Sequence, residues 1–305
     1  MTRYVIGRLA LAAGVMLVVS MLSFSMIYMA GDPAITIAGE SATDADINAV
    51  RKFYRFDDPI YAQYGAWMAN ALRGDFGRSY YLRAPVGELI TDRFPTTLLL
   101  GGLAMLFAMA LAVPLGVAAA VKPNSLVDRL SLMISVLGQA LPGFWFGLML
   151  ILLFSVKLRW LPPSGTESLK NFIMPAITLG YYATPAMMRL TRTSMLDVLA
   201  SDYIRTAHAK GLHPAVILFK HALRNAIAPV VSLAAVQLGF MLGGSVVVES
   251  IFSIHGLGHL AWESISRNDF PPVQAIILTL SMLYVALTFC ADVLNAWLDP
   301  SIRLE

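Results

Sequence analysis

His255, His259 and Glu263 stand four residues apart, an interval that brings metal ligands onto one face of a helix. Gly256 and Gly258 interrupt that stretch, so two solvated histidines in a loop is the plainer reading, and no metal site is assigned. No Ser or Cys nucleophile stands with a placed base. The single cysteine, Cys290, excludes an internal disulfide or a cysteine cage. None of the six lysines follows a glycine, so the Gly-Lys-Ser/Thr loop that cradles phosphates is missing and ATP hydrolysis by that route must come from other subunits. Asp292 is the one acid inside an apolar stretch. Ion-coupled transporters usually carry ionisable groups deep in the membrane, each costing at least ~2.5–3.5 kcal/mol. Here mid-membrane positions are nearly free of charge, and snorkelling or a helix–helix hydrogen bond accounts for Asp292.

What remains is a polar helical hairpin. Ser201 or Asp202 can cap a short helix running to Lys210, and Gly211 ends it by taking the left-handed C-terminal conformation cheaply. Pro214 opens a second helix. Ala215, Leu218, Phe219, Ala222 and Ala226 share one of its faces, and Lys220, His221, Arg224 and Asn225 another. The pattern describes a basic amphipathic element lying on a membrane surface, and from periodicity alone it need be nothing more.

The elements around the hairpin are membrane spans. Of the 305 residues 57% are hydrophobic and 13% charged, against about 25% charged in an average soluble domain. Mean hydropathy is +0.68. The net charge of +3 follows the apolar stretches and is no nucleic-acid footprint. Six segments are long enough to cross, at about 20 apolar residues each: Leu9 to Ala30, Thr96 to Val121, Leu130 to Val156, Phe172 to Leu190, Ala228 to Val248 and Val273 to Trp297. Helix is required of them, because hydrocarbon leaves no partner for exposed backbone groups.

Lys and Arg in the short connections orient the chain. One side collects Arg3, Arg8, Lys122, Arg129, Arg189, Arg192, Arg205, Lys210, Lys220, Arg224 and Arg303; the other short loops hold Lys157, Arg159, Lys170 and Arg267. Both termini are predicted to be cytoplasmic. The first apolar stretch exceeds a signal-peptide core and is read as a retained helix. The outer loop 31–95 is predicted to fold. Asp58-Pro59 reads as an N-cap and first helical position, Ile60, Tyr64, Trp67 and Ala71 as a stripe, and Gly74-Asp75-Phe76-Gly77 as a turn. It serves as a cap over the outer mouth, a docking surface for a soluble partner, or both.

Gly143 and Gly147, and Gly239 and Gly243, are spaced for close helix approach. Pro142, Pro175 and Pro185 are expected to kink their helices, and Gln139, Gln237 and Gln274 are neutral candidates for a cavity wall.

Asp202-Tyr203-Ile204-Arg205-Thr206-Ala207-His208-Ala209-Lys210-Gly211-Leu212, followed by His221-Ala222-Leu223-Arg224-Asn225-Ala226, resembles the cytoplasmic signature loop of ABC importer permeases. The likeness is to the oligopeptide, dipeptide and nickel permease family, in the subunit type with a long first outer loop. It runs almost end to end. It takes in Gly74-Asp75-Phe76-Gly77-Arg78-Ser79, Arg93-Phe94-Pro95-Thr96-Thr97-Leu98 and Gly243-Gly244-Ser245-Val246-Val247-Val248-Glu249. It continues through Phe252-Ser253 and Gly256-Leu257-Gly258 to Asp299-Pro300-Ser301-Ile302-Arg303. His208 stands where the family usually has Arg, and His255 and His259 where it has Pro and Arg.

The resemblance implies an all-α membrane protein with the type I ABC importer permease fold: one polytopic domain, a folded loop 31–95 outside and a coupling loop 190–227 inside. It implies a homologous second permease, two ATP-binding subunits and an extracytoplasmic binding protein as partners, in a prokaryotic inner membrane. ATP and Mg would reside on the ATPases, with no cofactor on this chain. Residues Asp202, Tyr203, Ile204, Arg205, Thr206, Ala207, Ala209, Lys210, Gly211 and Leu212 would dock in an ATPase groove, the small residues Ala207, Ala209 and Gly211 permitting close approach. Gln139, Pro142, Tyr181, Tyr182, Gln237, Gly239 and Gly243 are assigned to the translocation pathway. Peptides are the expected cargo, with nickel chelates, glutathione and sugars as alternatives.

Overall fold

A run of apolar residues that must satisfy its own backbone becomes helix, and the computed structural model is built from helices joined by turns and by two longer segments, 72–85 and 158–169. It describes residues 2–29, 31–39 and 42–298, with side chains described for all of these except 2–4, 134–139 and 294–298. The motif Asp299 to Arg303 and the side chains of Gln139 and Arg3 therefore lie outside the described residues. In chain order the helices are α1 (Thr2–Met29), α2 (Pro33–Ala38), α3 (Asp44–Phe53), α4 (Ile60–Ala71) and α5 (Val86–Val121). There follow α6 (Leu126–Ala140), α7 (Gly143–Leu150, continued by a π-helical stretch Ile151–Lys157), α8 (Lys170–Gly180) and α9 (Thr184–Leu199). The next loop holds α10 (Asp202–Ala209), α11 (Pro214–Val216), a π-helical stretch Ile217–Ala222 and α12 (Leu223–Ala226). The chain continues through α13 (Ala228–Ile251), α14 (Leu257–Ser266) and α15 (Phe270–Leu298).

Four of these helices are long and apolar enough to cross a membrane alone, within α1, α5, α13 and α15. The two other expected spans are each broken. Residues 130–156 divide at Leu141-Pro142 into α6 and α7, and 172–190 divides at Tyr181–Ala183 into α8 and α9. Pro142 is the N-cap of α7 and Pro185 sits in the first turn of α9. They start helices rather than kink them, because an N-terminal proline lacks only an N–H that had no partner to lose. Pro175 lies inside α8, as expected of a kink, and Pro95 and Pro114 lie inside α5. The Tyr181 hydroxyl donates to the Leu141 carbonyl at 2.6 Å, joining the two breaks.

α5 is the central post. Its 36 residues extend about 54 Å, beyond a hydrocarbon core of ~30 Å, so the helix begins ten residues before the expected Thr96. Leu100, Ala104, Ala108 and Ala112 recur every four residues and are wholly buried, a ridge of mostly small side chains against α8 and α9. The approach is close: a Cβ on Gly180 would lie 2.4 Å from the Ala104 carbonyl oxygen, and one on Gly116 2.7 Å from that of Met188. Gly147 meets Thr178 and Phe252, and Gly239 meets Tyr284 of α15, whereas Gly243 faces open space. Gly239 is therefore a packing residue, not part of a cavity wall. Gln274 donates to the Ser23 carbonyl at 3.2 Å, so it joins α15 to α1.

In the segment between α1 and α5, α4 lies against α1, with Phe24 packed on Tyr64 and Trp67 and the Tyr64 hydroxyl 2.8 Å from that of Ser20. The N-cap of α4 is Pro59, one residue later than expected; Asp58 instead pairs with Arg55 at 2.7 Å. Gly74 and Gly77 take the positive φ that the turn requires.

Two polar knots hold the segments before α5 and around α14. Asp269 accepts from the Ser79 hydroxyl and, at 2.9 Å, from the Tyr80 N–H, binding the loop before α5 to the start of α15. Glu249, wholly buried near the C-terminal end of α13, accepts from Thr97 Oγ1, Ser245 Oγ and the His259 N–H, each at 2.9 Å. The Thr97 hydroxyl accepts in turn from the Leu257 N–H at 2.8 Å. The Glu249 carboxyl thus caps the N-terminus of α14, accepting backbone N–H groups that have no partner within the helix. A Cβ on Gly256 would lie 2.4 Å from Glu249 Oε2, and one on Gly258 2.7 Å from Val246 Cα. Gly258 lies within α14 and does not interrupt it.

Candidate functional site

The loop between α9 and α13 is held from two directions. α9 runs past the end of its span to Leu199 and delivers the chain to α10. Beside it, Arg192 donates to Asp128 in the first turn of α6, Nε to Oδ1 at 2.7 Å and Nη2 to Oδ2 at 2.8 Å. The Asn124 N–H adds a third hydrogen bond at 2.9 Å, and the Asp128 side chain is only 3% exposed. The Arg192 guanidinium holds this carboxyl below the usual carboxylate range, helped by the Asn124 N–H.

α10 ends as its glycine demands. Gly211 has φ +72°; its N–H donates to the His208 carbonyl at 2.9 Å, and the Leu212 N–H donates to that of Ala207 at 3.3 Å. This is the Schellman arrangement. His213 then caps α11 through Nδ1, and Pro214 takes the first turn.

The faces of α10 divide the expected docking residues. Ile204 and Ala207 are buried, packed with Val117, Met195, Ile217 and Ala222 of the same chain. Ala207 is 7% exposed, so it seats the hairpin and is no part of an outward small-residue surface. Asp202, Tyr203, Arg205, Thr206, Ala209, Lys210, Gly211 and Leu212 are exposed. Arg205 pairs with Asp202, and the Tyr203 hydroxyl accepts from Asn225 Nδ2 at 2.8 Å, tying α10 to α12. The second helix departs from its expected face. The π-helical stretch changes the rotation per residue, so that Ile217, Ala222 and Ala226 are buried while Ala215 and Phe219 are exposed.

At the level of the two helix breaks lies a cavity of about 840 Å³. Pro142, Tyr181, Tyr182 and Gln237 of the assigned pathway line it, joined by Phe240 and Gly244; Gly239 and Gly243 do not. The lining side chains are apolar, aromatic, hydroxyl or amide, with none charged. Such a wall offers hydrogen bonds without selecting a sign of charge.

The remaining candidates fall elsewhere. Asp292 pairs with Arg8 at 3.1 Å, an ion pair between α15 and α1 and so a helix–helix contact of the kind considered for it. The His255 and His259 rings stand 5.2 Å apart, and no group of three metal-ligating side chains is found among the described residues. His259 is half-buried rather than solvated, and burial pushes its imidazole below the ordinary value, with His255 acting in the same direction.

Residues 1–101 match the family described as the N-terminal part of a binding-protein-dependent transport system membrane component, and 112–304 match the family of binding-protein-dependent transport system inner membrane components. The chain is 43% identical over 306 residues to the glutathione transport system permease protein GsiC of Escherichia coli K12, and 42% to that of Shigella boydii serotype 4, with each chain fully covered. Among solved structures it resembles a chain of the MetNI methionine ABC transporter in an inward-facing conformation. That match has a TM-score of 0.56 and 20% identity, covering 69% of this chain and 96% of the other.

Proposed function

The chain belongs to the family of binding-protein-dependent transport system inner membrane components and is a multi-pass permease subunit of an ABC importer, and from that premise we propose that it forms half of a pathway for short peptides of the glutathione kind. The observation that carries this reading is the 43% identity, over the full length of both chains, to a glutathione permease. Glutathione is a tripeptide and stays within the cargo class that the sequence motifs imply. The uncharged wall of Tyr181, Tyr182 and Gln237 supports it, since it suits peptide amides better than a bare cation.

In this reading the chain works with a second permease, two ATPases and a binding protein that selects the cargo. ATP and Mg are held by the ATPases. Closure of the two ATPases moves α10, and α9 with it, because the Arg192–Asp128 pair and the buried Ile204 and Ala207 make the inner loop one body. The cavity between the broken spans then opens to one side or the other by rigid-body motion. Asp292, neutralised by Arg8, is left no part in a proton relay. The six-span topology with both termini inside belongs to the same proposal.

The test is uptake. Cells lacking this chain and then complemented with it should regain accumulation of labelled glutathione, with short peptides competing. Recovery of nickel-chelate or sugar uptake alone would replace the cargo while leaving the permease assignment in place.

A further inference from the structure

We propose that an anionic phospholipid of the inner leaflet occupies a groove between α5, the start of α6 and the second helix of the inner loop, with an acyl chain along Val113 and Pro114 and its phosphate on Lys122. The groove encloses about 560 Å³, and its walls are almost wholly apolar. Its floor follows α5 from Val113 to Val121, about 12 Å along the helix, most of the ~15 Å depth of one hydrocarbon leaflet. Val127 and Phe219 form the opposite rim.

What covers it follows from where it lies. α5 is a membrane-spanning helix, and Lys122 at its C-cap marks the inner surface, so the medium around the groove is lipid. Phe219 is 62% exposed because the π-helical stretch turns it away from the core, a costly position for a phenyl ring in water and a favourable one against an acyl chain. Lys122 is the only charged side chain lining the groove, and it is exposed. The nearby carboxylate of Asp128 is committed to Arg192 and Asn124, so it does not neutralise the lysine. An apolar slot with one cation at its cytoplasmic rim repeats the amphipathic order of a phospholipid, tail inward and phosphate outward. A peptide would find almost no hydrogen-bonding group there.

This inference rests on the chain's place in the membrane, not on the cargo reading, and lipid retention is scored without transport. The experiment reconstitutes the assembled transporter in phosphatidylcholine nanodiscs containing photoactivatable phosphatidylglycerol or photoactivatable phosphatidylcholine. Cross-linked peptides are then mapped. Segments 113–127 and 218–223 should capture phosphatidylglycerol several-fold more than phosphatidylcholine. Lys122→Gln should bring the two to near equality, and Ala118→Trp, at an exposed lining position, should reduce both. Equal capture of the two lipids by the wild type would overturn the proposal, as would undiminished capture by Ala118→Trp. So would disulfide capture of a partner subunit by Val121→Cys in place of lipid, which would mark the groove as a protein interface.

Discussion

Arg192 and Asp128, 64 residues apart in sequence, meet through two parallel hydrogen bonds of 2.7 and 2.8 Å. The pair ties α6 to the helix that carries α10. Asp128→Asn keeps the shape but loses the charge, and removing one charge-assisted partner costs on the order of 1–3 kcal/mol. The variant should insert normally and bind the ATPases, with uptake reduced several-fold. The pH dependence has a defined sign. The folded value of Asp128 is depressed, so its stabilisation is complete above the unfolded value of about 3.9 and is lost as pH falls through the depressed value. Thermal unfolding of the isolated subunit should therefore show no contribution from Asp128 to its pH dependence between neutrality and about pH 5.

Gly258 and Gly243 should separate packing from open space. A Cβ at Gly258 meets backbone atoms of Val246 and the Glu249 carboxyl, whereas at Gly243 nothing lies within 4 Å. Gly258→Ala should destabilise the isolated subunit by about 1–3 kcal/mol, read as a lowered Tm, while Gly243→Ala should be neutral or slightly stabilising. Equal effects would refute the close packing at the start of α14.

Local features of this fold are written in local residues. Gly211, Pro214 and the run from Asp202 to Lys210 specify a helix, a left-handed stop and a new start, and each is found where the residue types put it. The ridge of Leu100, Ala104, Ala108 and Ala112 has a period of four that is legible in the sequence. Other features depend on partners far along the chain. Glu249 ends an apolar stretch and looks like a boundary charge, yet it is bonded to Thr97, 152 residues away. An alanine does not announce which side it faces, so Ala207 reads as surface until Ile217 and Ala222 are seen against it. The π-helical stretch breaks the 3.6-residue period on which the placement of Phe219 rested.

Ala207→Glu and Ala209→Glu differ by two positions and should fail differently. Ala207 is buried within the chain, so an unpaired carboxylate there costs roughly 3 kcal/mol or more and should lower the yield of folded subunit before any partner is present. Ala209 is exposed, and its variant should fold with a Tm near wild type but co-purify poorly with the ATPases. The comparison of Tm with ATPase retention checks both.

Asp292→Asn tests the remaining ion-coupling alternative. If the acid only pairs with Arg8, uptake in whole cells should stay near wild type and remain insensitive to a protonophore while ATP is maintained. Complete loss of transport in a normally assembled complex would restore a proton relay to consideration.

The most direct measurement concerns Gly211 in the reconstituted importer. Its φ of +72° costs a side chain about 1 kcal/mol, more if branched, and among the described residues, its chain neighbours aside, no atom lies within 4 Å of a Cβ built there. Gly211→Val should therefore leave the subunit inserted and folded while displacing the end of α10. ATP turnover stimulated by the loaded binding protein, measured beside cargo uptake in the same proteoliposomes, should fall together with uptake to a small fraction of wild type. Wild-type turnover and uptake with the ATPases still attached would contradict the account and leave the inner loop a basic surface hairpin.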